Sequence, residues 1–228
     1  MKSQKIQKEK EKESSFPEDK RAEKINQDDN YLSYNILKEI IKETNIPKKI
    51  IEEKNSELFY ETLTGKGSLT FMNNTKYIGF MKNGLLESGP NKEICQIYFE
   101  DGTKYEGEIH QNKISGEGKY YFPSGATYEG SLLNGLRHGF GKYISPEGIT
   151  YEGEWINGLK EGKGTMKRGN MSYEGEWKGG RISGNGRIKW ENGNLYEGEF
   201  KMNHIEGNGY MVWYVLLEKY IGKWKNDK

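Results

Sequence analysis

Five glutamates recur in one local setting, each between a tyrosine and a glycine: Glu106, Glu129, Glu152, Glu174 and Glu197. Carboxylates are common acid–base groups, so these are the first residues to test for chemistry. General acid–base catalysis needs two carboxylates in unlike environments, one kept protonated while the other ionises. Identical settings cannot separate two pKa values in that way. The pattern instead assigns these glutamates to a solvated face or to contact with a basic partner. His110, His138 and His204 stand in different registers and lack close ligand spacing, which argues against a zinc site. Cys95 is the only cysteine, in the strand-like run Glu93-Ile-Cys-Gln-Ile-Tyr98. It reads as a packed thiol, with no internal disulfide and a reducing compartment as the plain setting. Gly139-Phe140-Gly141 and Gly162-Lys163-Gly164 have no lysine in Walker spacing and no following helix, so they are not nucleotide loops. No serine sits in a nucleophile elbow. The expectation is a non-enzyme with no catalytic, metal-binding or cofactor-binding residues.

The remaining recurrent side chains are aromatic. Tyr128, Tyr151, Trp155, Tyr173, Trp177, Tyr196 and Phe200 occupy repeated positions and form a candidate binding face. They could close into an intramolecular core. They could equally line a groove for a partner helix or strand, or for a second copy packed ribbon to ribbon.

These residues are set by a repeat. Tyr-x-Gly occurs seven times, at Tyr77, Tyr105, Tyr128, Tyr151, Tyr173, Tyr196 and Tyr220, with spacings of 28, 23, 23, 22, 23 and 24 residues. A period of that length means a repeat architecture. In the unit beginning Tyr151-Glu-Gly-Glu-Trp155, alternation puts Tyr151, Gly153 and Trp155 on one strand face and Glu152 and Glu154 on the other. Asn-Gly pairs at Asn83, Asn134, Asn157 and Asn192 mark turns that want positive φ. Gly153, Gly162 and Gly164 lie in or beside strands, where glycine weakens the ladder unless a large group needs the space. Gly162, Gly164 and Met166 share a parity. Each unit supplies two short strands, and neighbouring hairpins complete one another's core.

Composition agrees. Thirty of 228 residues are glycine, 13% are aromatic and 33% are hydrophobic, which suits short strands and tight turns. The formal net charge of +1 gives no bulk attraction to nucleic acid or anionic membrane. The tyrosines alternate with glutamates that would repel phosphate, so nucleic acid is not an expected partner. The N-terminus lacks the apolar stretch of a signal peptide, and no run of about 18 apolar residues exists to span a membrane.

Three regions are expected. Residues 1–30 form a polar tail, disordered alone or ordered along a partner. Residues 31–57 form an amphipathic helical segment with the stripe Leu32, Ile36, Leu37, Ile40 and Ile41, ended or interrupted at Pro47. An isolated helix of this length is marginal in water, so the stripe packs on the repeats or docks on a partner. Its balanced charge disfavours a membrane surface. Residues 58–228 form the repeat array. Within it, the apolar run Met211-Val-Trp-Tyr-Val-Leu-Leu217 is either an end-cap core or a docking edge.

The pattern Tyr-Glu-Gly-Glu-Trp-x-x-Gly-x-x-x-Gly-x-Gly, as at Tyr151 to Gly164, resembles the MORN (membrane occupation and recognition nexus) repeat. The units at Tyr105, Tyr128, Tyr173 and Tyr196 match nearly as well. Asn112 and Asn203 replace the turn glycine, and Ile109, Leu132 and Phe200 take the tryptophan position. The unit at Tyr77 carries about five extra residues, which implies a loop or bulge near Leu85–Lys92. The resemblance implies an all-β fold, an elongated twisted antiparallel ribbon of stacked hairpins. It further implies a scaffold or adaptor in a large assembly of the cytoplasm or cytoskeleton, most plausibly a ciliary or flagellar axonemal complex such as a radial spoke. A peripheral phosphoinositide-binding membrane adaptor is the alternative. Only Lys219, Lys223, Lys225 and Lys228 make a basic end for it.

Overall fold

The computed structural model describes residues 64–71 and 73–228. The polar tail and the segment carrying Leu32, Ile36, Leu37, Ile40 and Ile41 lie outside the described residues. The chain divides into two compact units that part between Pro146 and Glu147.

In the first unit the strands are β1 (Gly65–Thr70), β2 (Lys76–Lys82), β3 (Leu85–Glu87), β4 (Cys95–Tyr98), β5 (Lys104–His110), β6 (Lys113–Tyr121), β7 (Thr127–Leu133) and β8 (Leu136–Ile144). Each pairs antiparallel with its neighbour in the order β1-β2-β4-β5-β6-β7-β8, and β3 pairs β2. The second unit contains β9 (Thr150–Ile156), β10 (Leu159–Arg168), β11 (Met171–Lys178), β12 (Arg181–Lys189), β13 (Leu195–Lys201), β14 (His204–Trp213) and β15 (Glu218–Trp224). These too pair in chain order, all antiparallel. Both units are open sheets made of repeated strand pairs.

The strand at Tyr151 alternates as expected: Tyr151, Gly153 and Trp155 are buried while Glu152 and Glu154 are exposed. The hairpin turns are of the primed type, with positive φ at both central residues, as at Asn157 (φ 49) and Gly158 (φ 84). The extra residues after Tyr77 form a loop that interrupts what would be one second strand, leaving β3 and β4 as its two pieces.

Gly162, Gly164 and Met166 keep the expected parity against β11, opposite Trp177, Gly175 and Tyr173. Gly162 alone is turned: at a register shift between Glu161 and Gly164 in the β9–β10 ladder its backbone is left-handed (φ 60), and a Cβ there would meet the Glu154 carboxylate. The same shift recurs inside the hairpins β5–β6, β7–β8, β11–β12 and β13–β14. It is absent between hairpins. The shift is two residues each time, Gly162 and Lys163 in this hairpin, so the strand keeps its parity on either side of the bulge.

Candidate interaction surface

The tyrosine of each unit lies flat over a row of glycines. In the second unit Gly153, Gly164, Gly175, Gly186, Gly198, Gly209 and Gly222 face one another strand by strand. A Cβ on Gly164 would come within 2.5 Å of the Tyr151 hydroxyl and 2.6 Å of its ring. The aromatic rings are thus the groups that need the space. Each hydroxyl then reaches past the glycines and donates to the carbonyl three residues on: Tyr105 to Glu108 (2.7 Å), Tyr151 to Glu154 (2.9 Å), Tyr173 to Glu176 (3.0 Å) and Tyr196 to Glu199 (3.0 Å). This satisfies a polar atom that burial would otherwise penalise. Burial is also the main reason these phenols resist ionisation: Tyr105, Tyr120, Tyr128 and Tyr173 are all pushed up, and Tyr196 to about 12.

The rings interlock from unit to unit. Tyr151 meets Trp155 and Trp177 edge-on, each at 5.0 Å between centroids. Tyr173 meets Trp177 and Phe200 in the same way, and Tyr196 meets Phe200 and Trp224. Edge-to-face geometry at this distance is the favoured aromatic contact. The seven candidate aromatics are consequently buried: Tyr128, Tyr151, Tyr173 and Tyr196 at 0%, Trp155 at 1%, Phe200 at 4% and Trp177 at 5% exposure.

The opposite face is charged, and its order is set by register. Gln96, Glu106, Lys119, Glu129 and Lys142 stand opposite one another in one cross-strand row. Lys119 and Glu129 are 3.1 Å apart, and Lys104 reaches Glu106 at 2.8 Å. In the second unit the row runs Glu152, Thr165, Glu174, Arg187, Glu197, Tyr210 and Ile221. The recurrent glutamates therefore stand largely among basic and polar neighbours of the same sheet, a mixed-charge face.

Two roles escaped the sequence reading. The second glutamate of the repeat serves the bulge: Glu154 accepts the Lys163 N–H at 2.9 Å and Glu199 accepts the Asn208 N–H at 2.9 Å. The motif Gly-Glu-x followed by Gly-x-Gly was the available signal. Asn112 and Asn203 do more than replace a turn glycine. Each donates its N–H to a neighbouring strand, at Leu86 and Ile182, and accepts that residue's N–H on its side-chain oxygen, at 2.7 and 2.8 Å. Asp227 repeats the arrangement at Ile205, with N–H to oxygen at 2.7 Å, and its other oxygen lies 2.8 Å from His204. His110 is similarly seated, 2.8 Å from Glu87. The histidines thus stay apart, and no group of three or more metal-ligating side chains exists among the described residues. Cys95 is buried where other units place the second glycine of the row, opposite Gly107, and burial raises its thiol to about 12. Among the described residues, no helix is long and apolar enough to cross a membrane.

An open sheet with a self-filled aromatic face and an ordered charged face is a repeat-built, non-catalytic interaction module. The family model for the MORN repeat matches residues 105–127, 128–150, 151–170, 173–195 and 196–214, so the chain carries a clear run of MORN-repeat units. The strand pairs at Tyr77 and Tyr220 lie outside that match. No curated protein is matched by this chain. Among solved structures, the SAS-4 TCP domain of Drosophila melanogaster, in complex with a proline-rich motif of Ana2, is similar at 15% identity and a TM-score of 0.40, covering 75% of this chain and 95% of that one. The wild-type TCP10 domain of Danio rerio CPAP is similar at 10% identity and a TM-score of 0.26, covering 70% and 84%. Likenesses this distant carry no functional argument.

Proposed function

We propose that this protein is a structural scaffold or adaptor in a large protein assembly, with a ciliary or flagellar axonemal complex as its setting. The observation that carries the reading is the division of labour between the two sheet faces. One face is filled by its own rings, and the other repeats a mixed-charge pattern every two strands, about 10 Å. Such a surface suits contact with another protein along its length. In this reading Tyr128, Tyr151, Trp155, Tyr173, Trp177, Tyr196 and Phe200 are the frame that shapes the binding surface. The stripe Leu32, Ile36, Leu37, Ile40 and Ile41 is the docking element.

Proximity labelling with mass spectrometry tests this, using the tagged full chain beside a chain lacking residues 1–57. Enrichment of axonemal spoke or microtubule-associated proteins is expected, with loss of some in the truncation. Enrichment of plasma-membrane or vesicle proteins would replace this reading with the phosphoinositide adaptor. A monomer free of stable partners would overturn both.

A further inference from the structure

Four of the turns that join one strand pair to the next follow a rule; the turn before Tyr77 has Asn74 (φ 63) in the glycine place, the turn before Tyr173 is shortened to Gly169-Asn170, and the turn before Tyr220 is apolar. Three residues before the repeat tyrosine stands a glycine in the left-handed region: Gly102 (φ 87), Gly125 (φ 90), Gly148 (φ 79) and Gly193 (φ 88). The residue before it is polar in all four, and side-chain oxygens there accept the N–H two residues on: Asp101 from Thr103 at 2.8 Å, Ser124 from Ala126 at 3.3 Å and Asn192 from Asn194 at 3.0 Å. Between β14 and β15 the corresponding residues are Tyr214, Val215, Leu216 and Leu217. Leu217 takes the glycine position with φ 53, a conformation that side chains with a Cβ rarely adopt. Tyr214 is 67%, Val215 72% and Leu217 90% exposed. The base of the turn is nonetheless firm. Tyr214 donates its N–H to Asn194 at 2.8 Å, and Met211 and Trp213 beneath it are buried. Apolar surface is therefore held out in solvent on a rigid base, at the cost of a strained residue. Strain of this kind concentrates where a segment binds something.

We propose that the 214–217 turn is a docking anchor that inserts into an apolar pocket on a protein partner; this rests on the scaffold reading above. The pocket has an aliphatic floor for Val215 and Leu217, an acceptor for the Tyr214 hydroxyl, and a rim carrying both charge signs. The rim follows from the base of the turn, where Glu218 stands opposite Trp213 and Lys219 opposite Val212. One acid and one base give no net pull toward anionic lipid. Two aliphatic side chains and a tyrosine also hold only marginally in a bilayer. A pocket that closes around the tip removes it from water on every side, and tyrosine is favoured at such centres.

The test installs a photo-reactive benzophenone side chain at Val215 of the full chain in its native cells. Two variants accompany it. Val215→Glu, Leu216→Asn and Leu217→Gly together copy the turn Glu191-Asn192-Gly193, and Leu217→Gly alone removes the strain and the most exposed side chain of the turn. The expected result is one protein adduct whose purified form binds the wild-type chain and binds the triple variant at least about tenfold more weakly. Both variants should melt no lower than wild type, since each relieves Leu217. Undiminished binding of the triple variant overturns the proposal. So does an adduct with lipid, turn-dependent flotation with phosphatidylcholine–phosphatidylserine vesicles, an adduct with a second copy, or no adduct. If the wild-type chain has no labelled partners at all, the scaffold reading fails. If its partners are present and survive the triple variant, only the docking anchor fails.

Discussion

At the scale of single residues, two kinds of glycine do different work, and substitution separates them. Gly164 has no positive φ, but a Cβ there would collide with the Tyr151 ring at 2.6 Å. Gly148 has open space around it but φ 79. Gly164→Ala is expected to destabilise by about 2–3 kcal/mol through overpacking. Gly148→Ala should cost about 1–2 kcal/mol from backbone conformation alone. Urea unfolding of the two variants distinguishes them. Tyr151→Phe should cost about 1 kcal/mol by leaving the Glu154 carbonyl unpaired. The buried phenols also set an alkaline limit. Burial raises Tyr196 from 10.0 to about 12 and moves its counterparts upward too. Above pH 10 the unfolded chain releases protons that the folded chain keeps, so stability falls as pH rises through about 12. Below pH 10 this source of pH dependence is silent. Tyrosinate absorbance from these residues should accompany loss of the far-ultraviolet β signal; its development in the intact fold would contradict the burial assigned to them.

Strands and turns were legible because their signals are local: alternation within Tyr-Glu-Gly-Glu-Trp, and Asn-Gly at the hairpin tips. The ties between hairpins were not, because they join residues about twenty apart in the chain. Asn203 shows the consequence, holding Ile182 with both its N–H and its side-chain oxygen. Gly180 makes only the backbone bond to Lys160, has φ 81, and has no heavy atom closer than 4.0 Å to a built Cβ. The two glutamates of one strand should also part company. Glu199→Ala removes an acceptor for the Asn208 N–H at the bulge and should cost about 1 kcal/mol. Glu197→Ala, on the exposed row, should stay within about 0.5 kcal/mol.

For the whole molecule, stability in a repeat protein is close to a sum of unit and neighbour terms. The five tryptophans, Trp155, Trp177, Trp190, Trp213 and Trp224, all lie in the second compact unit. Their fluorescence reports that unit, while circular dichroism reports both. Gly118 is packed against the Tyr105 ring in the first unit, so Gly118→Ala should destabilise there. The expected outcome in urea is a dichroism transition that moves below the fluorescence transition. Equal displacement of both would show one cooperative body instead.

The sequence by itself determined the period, the buried partners of the glycines, the turn chemistry and the poverty of catalytic constellations, because each depends on residues close in the chain. It left open whether the aromatic set closes on itself and whether Met211–Leu217 is core or edge. Tertiary structure divided that run, burying Met211 and Trp213 and exposing Tyr214, Val215 and Leu217. It also set the register that puts Glu106 opposite Lys119, and the bulge that turns Gly162 toward Glu154. Register is a long-range property, set by which strands pair and not by neighbours in the chain.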